Sequence, residues 1–399
     1  MATQRFKILR QIPSSIWVLG FVSLLMDISS EIVHSLLPIF LVASLGASVS
    51  TVGIIEGVAE AAALIVKVFS GALSDYLGNR KWLAVFGYGL GALSKPFFAI
   101  ASSSSFVFGA RLTDRIGKGI RGAPRDALVA DISPPHLRGA SFGLRQALDT
   151  VGAFAGPLLA VGLMLLWAND FRRIFWIAVI PAVMAVMLLA VGVREPAKQI
   201  TTKRTNPISL QSMKKLTRRF WWVVAVGAMF TLARFSEAFL VLRAMQGGMS
   251  IALIPLVMVA MNLVYAVSAY PFGKLADSME HRKLLMIGVG MLIAADLVLA
   301  HGNHWTTVLL GATIWGLHMG MTQGLLATMV AETAPAELRG TAFGLFNLFS
   351  GVALLTASTI AGLVWDGFGA SATFYLGAVF SVITLGLLAV RGRHSPLRS

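Results

Sequence analysis

Asp27, Glu31 and His34 recur at intervals of four and three inside an apolar run, so a helix would carry all three on one face. Arg111, Asp114, Arg115 and Lys118 make a second such stripe; Glu56, Glu60 and Lys67 make a third, and Arg145 with Asp149 a fourth. With Lys95, Arg121, Arg234, Glu237, Arg243 and Asp296, these residues amount to eight acids and nine bases within otherwise apolar stretches. At the centre of a bilayer each charged side chain costs about 2.5–3.5 kcal/mol on insertion scales. The near balance of sign argues for pairing, and the stripes must meet each other or line a wet cavity.

Acids held in such a setting can take up and release protons as their neighbours change. Asp27 and Glu31 are the candidate proton carriers, with Arg111, Asp114 and Arg115 completing the coupling set. A permanent salt bridge is the other role open to each of them. Candidate substrate-cavity residues are His34, Glu60, Lys118, Arg145 and Asp149 in the first half, and Arg234, Glu237, Trp315, His318 and Gln323 in the second. Thirteen of the seventeen buried charges precede the midpoint, which suggests proton handling there and a more apolar substrate surface in the second half. His34 reads as a pore lining. No span carries a ligand cluster that assigns a metal site, although Asp27, Glu31 and His34 together keep a metal substrate open.

The elements that position these side chains follow from composition. Apolar residues make up 56% of the 399 positions and charged residues 13%, against about 25% charged in ordinary soluble proteins. Lipid must be the solvent. A spanning helix needs about 20 apolar residues, and twelve runs satisfy this: 15–44, 49–74, 82–101, 105–129, 139–167, 174–193, 220–245, 251–274, 284–300, 306–331, 341–365 and 371–390. The first run continues without a small-residue cleavage site and reads as a retained helix.

The net charge of +15 invites a nucleic-acid reading, but 22 of the 33 bases fall in the termini, the central linker and alternate connections, or at the span ends beside them. That asymmetry is the positive-inside pattern. It places both termini and the linker in the cytoplasm and implies no nucleic-acid partner. There are no cysteines, which excludes disulfides and thiolate metal sites.

The chain also repeats itself. Gly71-Ala-Leu-Ser-Asp75 ending in Arg80-Lys81 returns as Gly273-Lys-Leu-Ala-Asp277 ending in Arg282-Lys283. Leu137-Arg-Gly139, followed by Phe142-Gly143, returns as Leu338-Arg-Gly340, followed by Phe343-Gly344. Two matches at nearly one offset indicate duplication. The expected fold is an all-α membrane protein of twelve transmembrane helices in two pseudo-symmetric six-helix bundles, 1–193 and 220–399, joined by a basic linker, 194–219. Duplicated bundles of this kind flank a substrate path near the midplane.

Gly71-x3-Asp75-x2-Gly78-x-Arg80-Lys81 resembles the cytoplasmic-loop motif of the major facilitator superfamily. The resemblance implies that fold and a gating role for Asp75, Arg80, Arg138, Asp277, Arg282 and Arg339. Arg111-x2-Asp114-Arg115-x-Gly117 is similar to the family's helix-four motif, whose arginine is associated with proton coupling; Asp114 and Arg115 depart from its usual glutamine and glycine. Gly143, Gly152, Gly156 and Pro157 resemble the helix-five motif of the twelve-helix drug:proton antiporter branch, with its closing glycine pair replaced by Ala160 and Val161. Generic close packing of helices is the other use of the same small residues.

The leading expectation is a proton-coupled exporter of a small organic molecule working by alternating access, as a monomer in a bacterial-type inner membrane. Transport of an anionic metabolite, siderophore or metal ion is the alternative, with Arg111, Arg115, Lys118 and Arg121 clamping the anion. No zinc-protease helix, nucleophile turn or phosphate-binding loop is present. Neither enzymatic activity nor a cofactor is therefore expected.

Overall fold

A computed structural model of the chain describes residues 11–195, 215–335 and 338–390. Most of the predicted linker, 196–214, lies outside the described residues. The described residues contain fourteen α-helices and no strand. In order these are α1 (Ser14–Ile39), α2 (Val49–Leu77), α3 (Arg80–Ile100), α4 (Ser104–Ile132), α5 (Arg138–Leu166), α6 (Phe171–Gly192) and α7 (Arg218–Ala233). They continue with α8 (Ala238–Gln246), α9 (Leu256–Ala276), α10 (His281–His301), α11 (Trp305–Thr322), α12 (Leu325–Thr333), α13 (Arg339–Phe368) and α14 (Ala370–Val390).

Fourteen helices make twelve spans because two spans are broken. Span seven is α7 plus α8, interrupted at Arg234–Glu237; span ten is α11 plus α12, interrupted at Gln323 and Gly324. Sequence reading drew both as continuous runs. Gly324 takes a left-handed φ of +75°, which an L side chain resists and which turns the backbone out of the helix. The first break has neither glycine nor proline. There the Ser236 N–H donates to Ser358 Oγ of α13 at 3.2 Å, and Ser236 Oγ accepts from Ala238 N–H at 3.3 Å, capping α8. These side-chain bonds replace helical ones, as any backbone group away from water requires.

Among the described residues, nine helical segments are long and apolar enough to cross a membrane by length and composition. Leu166, Val191, Tyr270 and Phe368 point outward with most of their surface exposed, as lipid-facing side chains do.

The helix bounds of two spans repeat at one offset, one residue short of the Arg80/Arg282 match. Helix α3 covers 80–100 and α10 covers 281–301; α4 covers 104–132, and α11 with α12 covers 305–333. Each pair differs by 201.

The chain divides into two compact units. Unit one holds the residues through Leu37 and those from Ala62 to the linker; unit two holds Pro38–Ala61 with the residues after the linker. Unit one has a core of Ile16, Leu19, Met26, Tyr88 and Leu189. Phe220, Phe230, Leu284, Val289 and Leu345 centre the core of unit two. The division cuts α1 at Pro38, whose missing N–H weakens the helix, just before a π-helical turn at Phe40–Ser44.

Within unit two, the start of α2 is tied to α13. Asp366 accepts from the N–H groups of Val49 (3.2 Å) and Ser50 (2.8 Å) and from Ser50 Oγ. Below that cap the helices touch through glycine. A Cβ on Gly53 would lie 2.3 Å from the Ser358 carbonyl oxygen, and one on Gly362 would lie 2.7 Å from Ser50 Cα.

Candidate functional site

The charged stripes of unit one meet because glycines let their helices close. Helices α3 and α4 cross at Gly87 and Gly117, where a Cβ on Gly117 would stand 2.6 Å from the Gly87 carbonyl oxygen. Helix α5 approaches α1 in the same way. A Cβ on Gly152 would be 2.7 Å from the Leu24 carbonyl oxygen and 2.9 Å from Asp27 Cβ, and one on Gly156 would be 2.7 Å from Glu31 Cβ. Two glycines of the predicted helix-five motif therefore abut the two predicted proton carriers. Gly143 faces open space.

At the α3–α4 crossing lies a fully buried ionic cluster. Lys95 Nζ donates to Asp114 Oδ1 at 2.8 Å and to Ser30 Oγ of α1 at 3.2 Å. Arg115 donates to Asp114 Oδ2 through Nε at 2.9 Å and Nη2 at 2.6 Å. Arg111 Nη1 stands 3.8 Å from the same oxygen. The predicted helix-four set is thus one assembly centred on Asp114, with three bases around one acid. Lys95, which sequence reading counted but gave no role, is its closest charge from another helix. The signal was present: Lys95 and Asp114 are opposite charges deep in adjacent apolar runs.

Asp27 and Glu31 sit beside this cluster and are only half-buried. Glu31 accepts from His34 Nδ1 at 3.3 Å, as their spacing suggested. Arg115 and Lys118 lie within electrostatic reach of Glu31. Asp27 faces Asp149 of α5 closely enough for the two carboxyls to act on each other, a pairing that helical spacing alone does not give. Asp149 also lies 3.7 Å from Arg125 Nη1 and 3.8 Å from Arg145 Nη1. Arg125 reaches back to Ser23 Oγ of α1 at 3.2 Å. Two carboxyls held this close repel unless one holds a proton.

Lys118 is exposed at the edge of the α4 stripe. Arg121 is buried, its guanidinium 4.7 Å from the centre of the Tyr88 ring.

Predicted cavity residues in unit two have varied surroundings. Glu60 is half-buried in the part of α2 that belongs to this unit. Arg234 lies over the Phe230 ring at 5.7 Å, with Glu237 close enough to act on its charge, so both flank the break in span seven. Gln323 is exposed at the break in span ten. Trp315 and His318 are fully buried: Trp315 packs on Phe235 at 5.7 Å between ring centres, and His318 Nδ1 bonds the Gly288 carbonyl oxygen at 2.8 Å.

The predicted gating residues engage local partners. Arg80 pairs with Asp131 at the end of α4, while Glu195 accepts from the Arg80 and Lys81 N–H groups at 2.9 and 3.1 Å. Arg282 donates to the Leu388 carbonyl oxygen at 2.7 Å and caps α14. Arg138, Asp277 and Arg339 are exposed. Asp75 lies in α2, its side chain outside the described residues. Among the described residues no group of His, Cys, Asp and Glu could hold a metal ion.

The family profile described as Major Facilitator Superfamily matches residues 19–245 and 238–399. An uncharacterised MFS-type transporter of Methanocaldococcus jannaschii is 30% identical over 387 residues, 95% of each chain. The multidrug resistance protein MdtH of Photorhabdus laumondii is 30% identical over 219 residues, 54% of this chain and 53% of that one. Among solved structures, a POT family transporter in complex with 5-aminolevulinic acid superposes with a TM-score of 0.81 at 14% identity, covering 97% of this chain and 99% of the other.

Proposed function

The chain belongs to the major facilitator superfamily and is a multi-pass membrane transporter; from that premise we propose that it exports a small organic molecule in exchange for protons. The observation that carries this reading is the contact of Asp27 with Asp149, beside Gly152. A carboxyl pair with one proton is a coupling device, because ligand charge or arginine movement nearby decides whether the proton stays. Similarity to a multidrug resistance protein supports export.

The breaks in spans seven and ten mark where the path would run, since interrupted helices near the midplane free backbone groups and side chains for substrate. Alternating access then has the repeated halves, 1–193 and 220–399, rock about that level, with the loop bases and acids at the cytoplasmic ends breaking and remaking contacts. Basic termini and linker support a cytoplasmic placement of those ends at an inner (plasma) membrane. The working unit is taken as a monomer.

A specific observation favours a second reading. Three bases surround the single acid Asp114, and Lys118 is exposed near Glu31; an anionic substrate would complement this excess. One experiment separates the two. A thermal-shift screen across drugs, organic acids, siderophores and metals at two pH values identifies a ligand. Flux of that ligand is then followed in everted vesicles with a pH gradient of either sign. Proton-driven export requires uptake when the lumen is acid and none after a protonophore. Uptake unaffected by the gradient rejects it.

A further inference from the structure

The common offset of the helix bounds pairs buried positions of α3 and α4 with positions of α10 and α11. Position 95 in the first copy is Lys95, and 201 residues on it is Asp296; position 114 is Asp114, and its copy is Trp315. Where unit one buries a base against an acid, unit two buries an acid and an indole at the corresponding positions.

Asp296 is wholly inaccessible, and among the described residues neither carboxyl oxygen has a hydrogen-bond partner. Among the described residues no charged side chain acts on it. Trp315 Nε1, also buried, has no partner either. The absent side chain of Gly377 on α14 makes room for the carboxyl, since a Cβ there would stand 2.8 Å from Asp296 Oδ2 and 3.0 Å from the Phe235 ring. Phe235 packs on Trp315 and Phe374 and belongs to the break in span seven, between Arg234 and Glu237.

The other titratable groups on the elements around Asp296 are engaged elsewhere. On α8, Arg243 bonds the Leu299 and Gly302 carbonyl oxygens; on α11, His318 bonds the Gly288 carbonyl oxygen; on α12, Glu332 lies 3.4 Å from His281; on α14, the Tyr375 hydroxyl lies 3.1 Å from His301 Nε2 at the helix end.

An isolated carboxylate in such surroundings carries a desolvation cost that nothing nearby offsets, whereas a neutral acid is tolerated. Its cover is a short non-helical segment, the kind of element that absorbs backbone change when a transporter rearranges. Movement of Phe235 would admit water, or the neighbouring Arg234, to the acid. We propose that Asp296 is a proton-binding site of unit two, loaded while Phe235 covers it and discharged to water when the span-seven break opens. Its use in transport rests on the proton-exchange reading above; its loading and release do not.

Infrared spectroscopy of the protein in lipid bilayers tests this without a substrate. The carbonyl stretch of an un-ionised acid should be present in the wild type at neutral pH and lost in Asp296→Asn. In the wild type it should disappear reversibly as pH rises while the protein stays folded. If Asp296→Asn does not fold, Asp296→Glu serves instead by shifting the band. Wild-type and variant spectra that match at every pH overturn the proposal, because the group is then ionised. A band assigned to Asp296 that persists to the pH of unfolding also overturns it, because the acid is then a fixed packing group. Either failure leaves the proton-driven flux test of the transport reading untouched.

Discussion

Gly152 of α5 faces Asp27 of α1 so closely that a Cβ added to the glycine would lie 2.9 Å from the Asp27 Cβ. The same Cβ would meet the Leu24 carbonyl oxygen at 2.7 Å, and backbone cannot swing aside as a side chain can. Close packing and proton chemistry are joined at this point, because the approach of α5 also brings Asp149 to Asp27.

Alanine at Gly152 or Gly156 should therefore destabilise the protein by about 1–3 kcal/mol, the usual range for overpacking, and should impair transport. Gly143→Ala serves as the control, since nothing lies within 4 Å of its added carbon. Thermal unfolding in detergent, compared across the three variants, checks the order.

The Asp114 cluster makes an asymmetric prediction. Asp114→Asn leaves Lys95, Arg111 and Arg115 buried around a neutral group and should cost about 3–5 kcal/mol, as when one partner of a buried pair is removed. Lys95→Met should cost less, because Asp114 keeps both hydrogen bonds from Arg115. Melting temperatures of the two variants report the ranking.

Arg243 separates structural charge from functional charge. It donates to the carbonyl oxygens of Leu299 (2.9 Å) and Gly302 (2.8 Å), closing the end of α10. Arg243→Lys should not restore what Arg243→Ala loses, because an ammonium lacks the planar fork. The expected loss is about 1.5–3 kcal/mol, the scale of a hydrogen bond to a charged group, measured as reduced thermal stability of both variants.

Asp366 should matter to the pairing of α2 with α13. Asp366→Ala leaves the N–H groups of Val49 and Ser50 without their cap, a change worth about 0.5–2 kcal/mol. The cysteine-free sequence allows single cysteines to be introduced on α2 near Ser50. Faster thiol labelling there in the Asp366→Ala background is the expected outcome.

Periodicity carried much of this architecture on its face. Apolar run length located every span, and the Gly71/Gly273 and Leu137/Leu338 repeats exposed the duplication. Helical spacing also grouped Glu31 with His34 and Arg145 with Asp149, because neighbours three and four apart share a face wherever the helix lies. Pairings between helices were less legible. Opposite charges in adjacent apolar runs pointed toward Lys95 with Asp114, but nothing in a single sequence says that α3 and α4 cross at Gly87 and Gly117, or that α5 brings Asp149 to Asp27. The break at Arg234–Glu237 was hidden for a similar reason: its backbone is satisfied by Ser358, 122 residues away. Gly324 did mark the other break, but glycine is common in membrane helices and the mark was ambiguous.

Neutralising Asp27 puts the proton-exchange mechanism to its most direct trial. In everted vesicles with an acid lumen, Asp27→Asn should bind the ligand found by thermal shift yet fail to accumulate it, while melting as the wild type does. Accumulation at the wild-type rate and to the wild-type level by Asp27→Asn would mean that the Asp27–Asp149 pair does not carry the coupling proton.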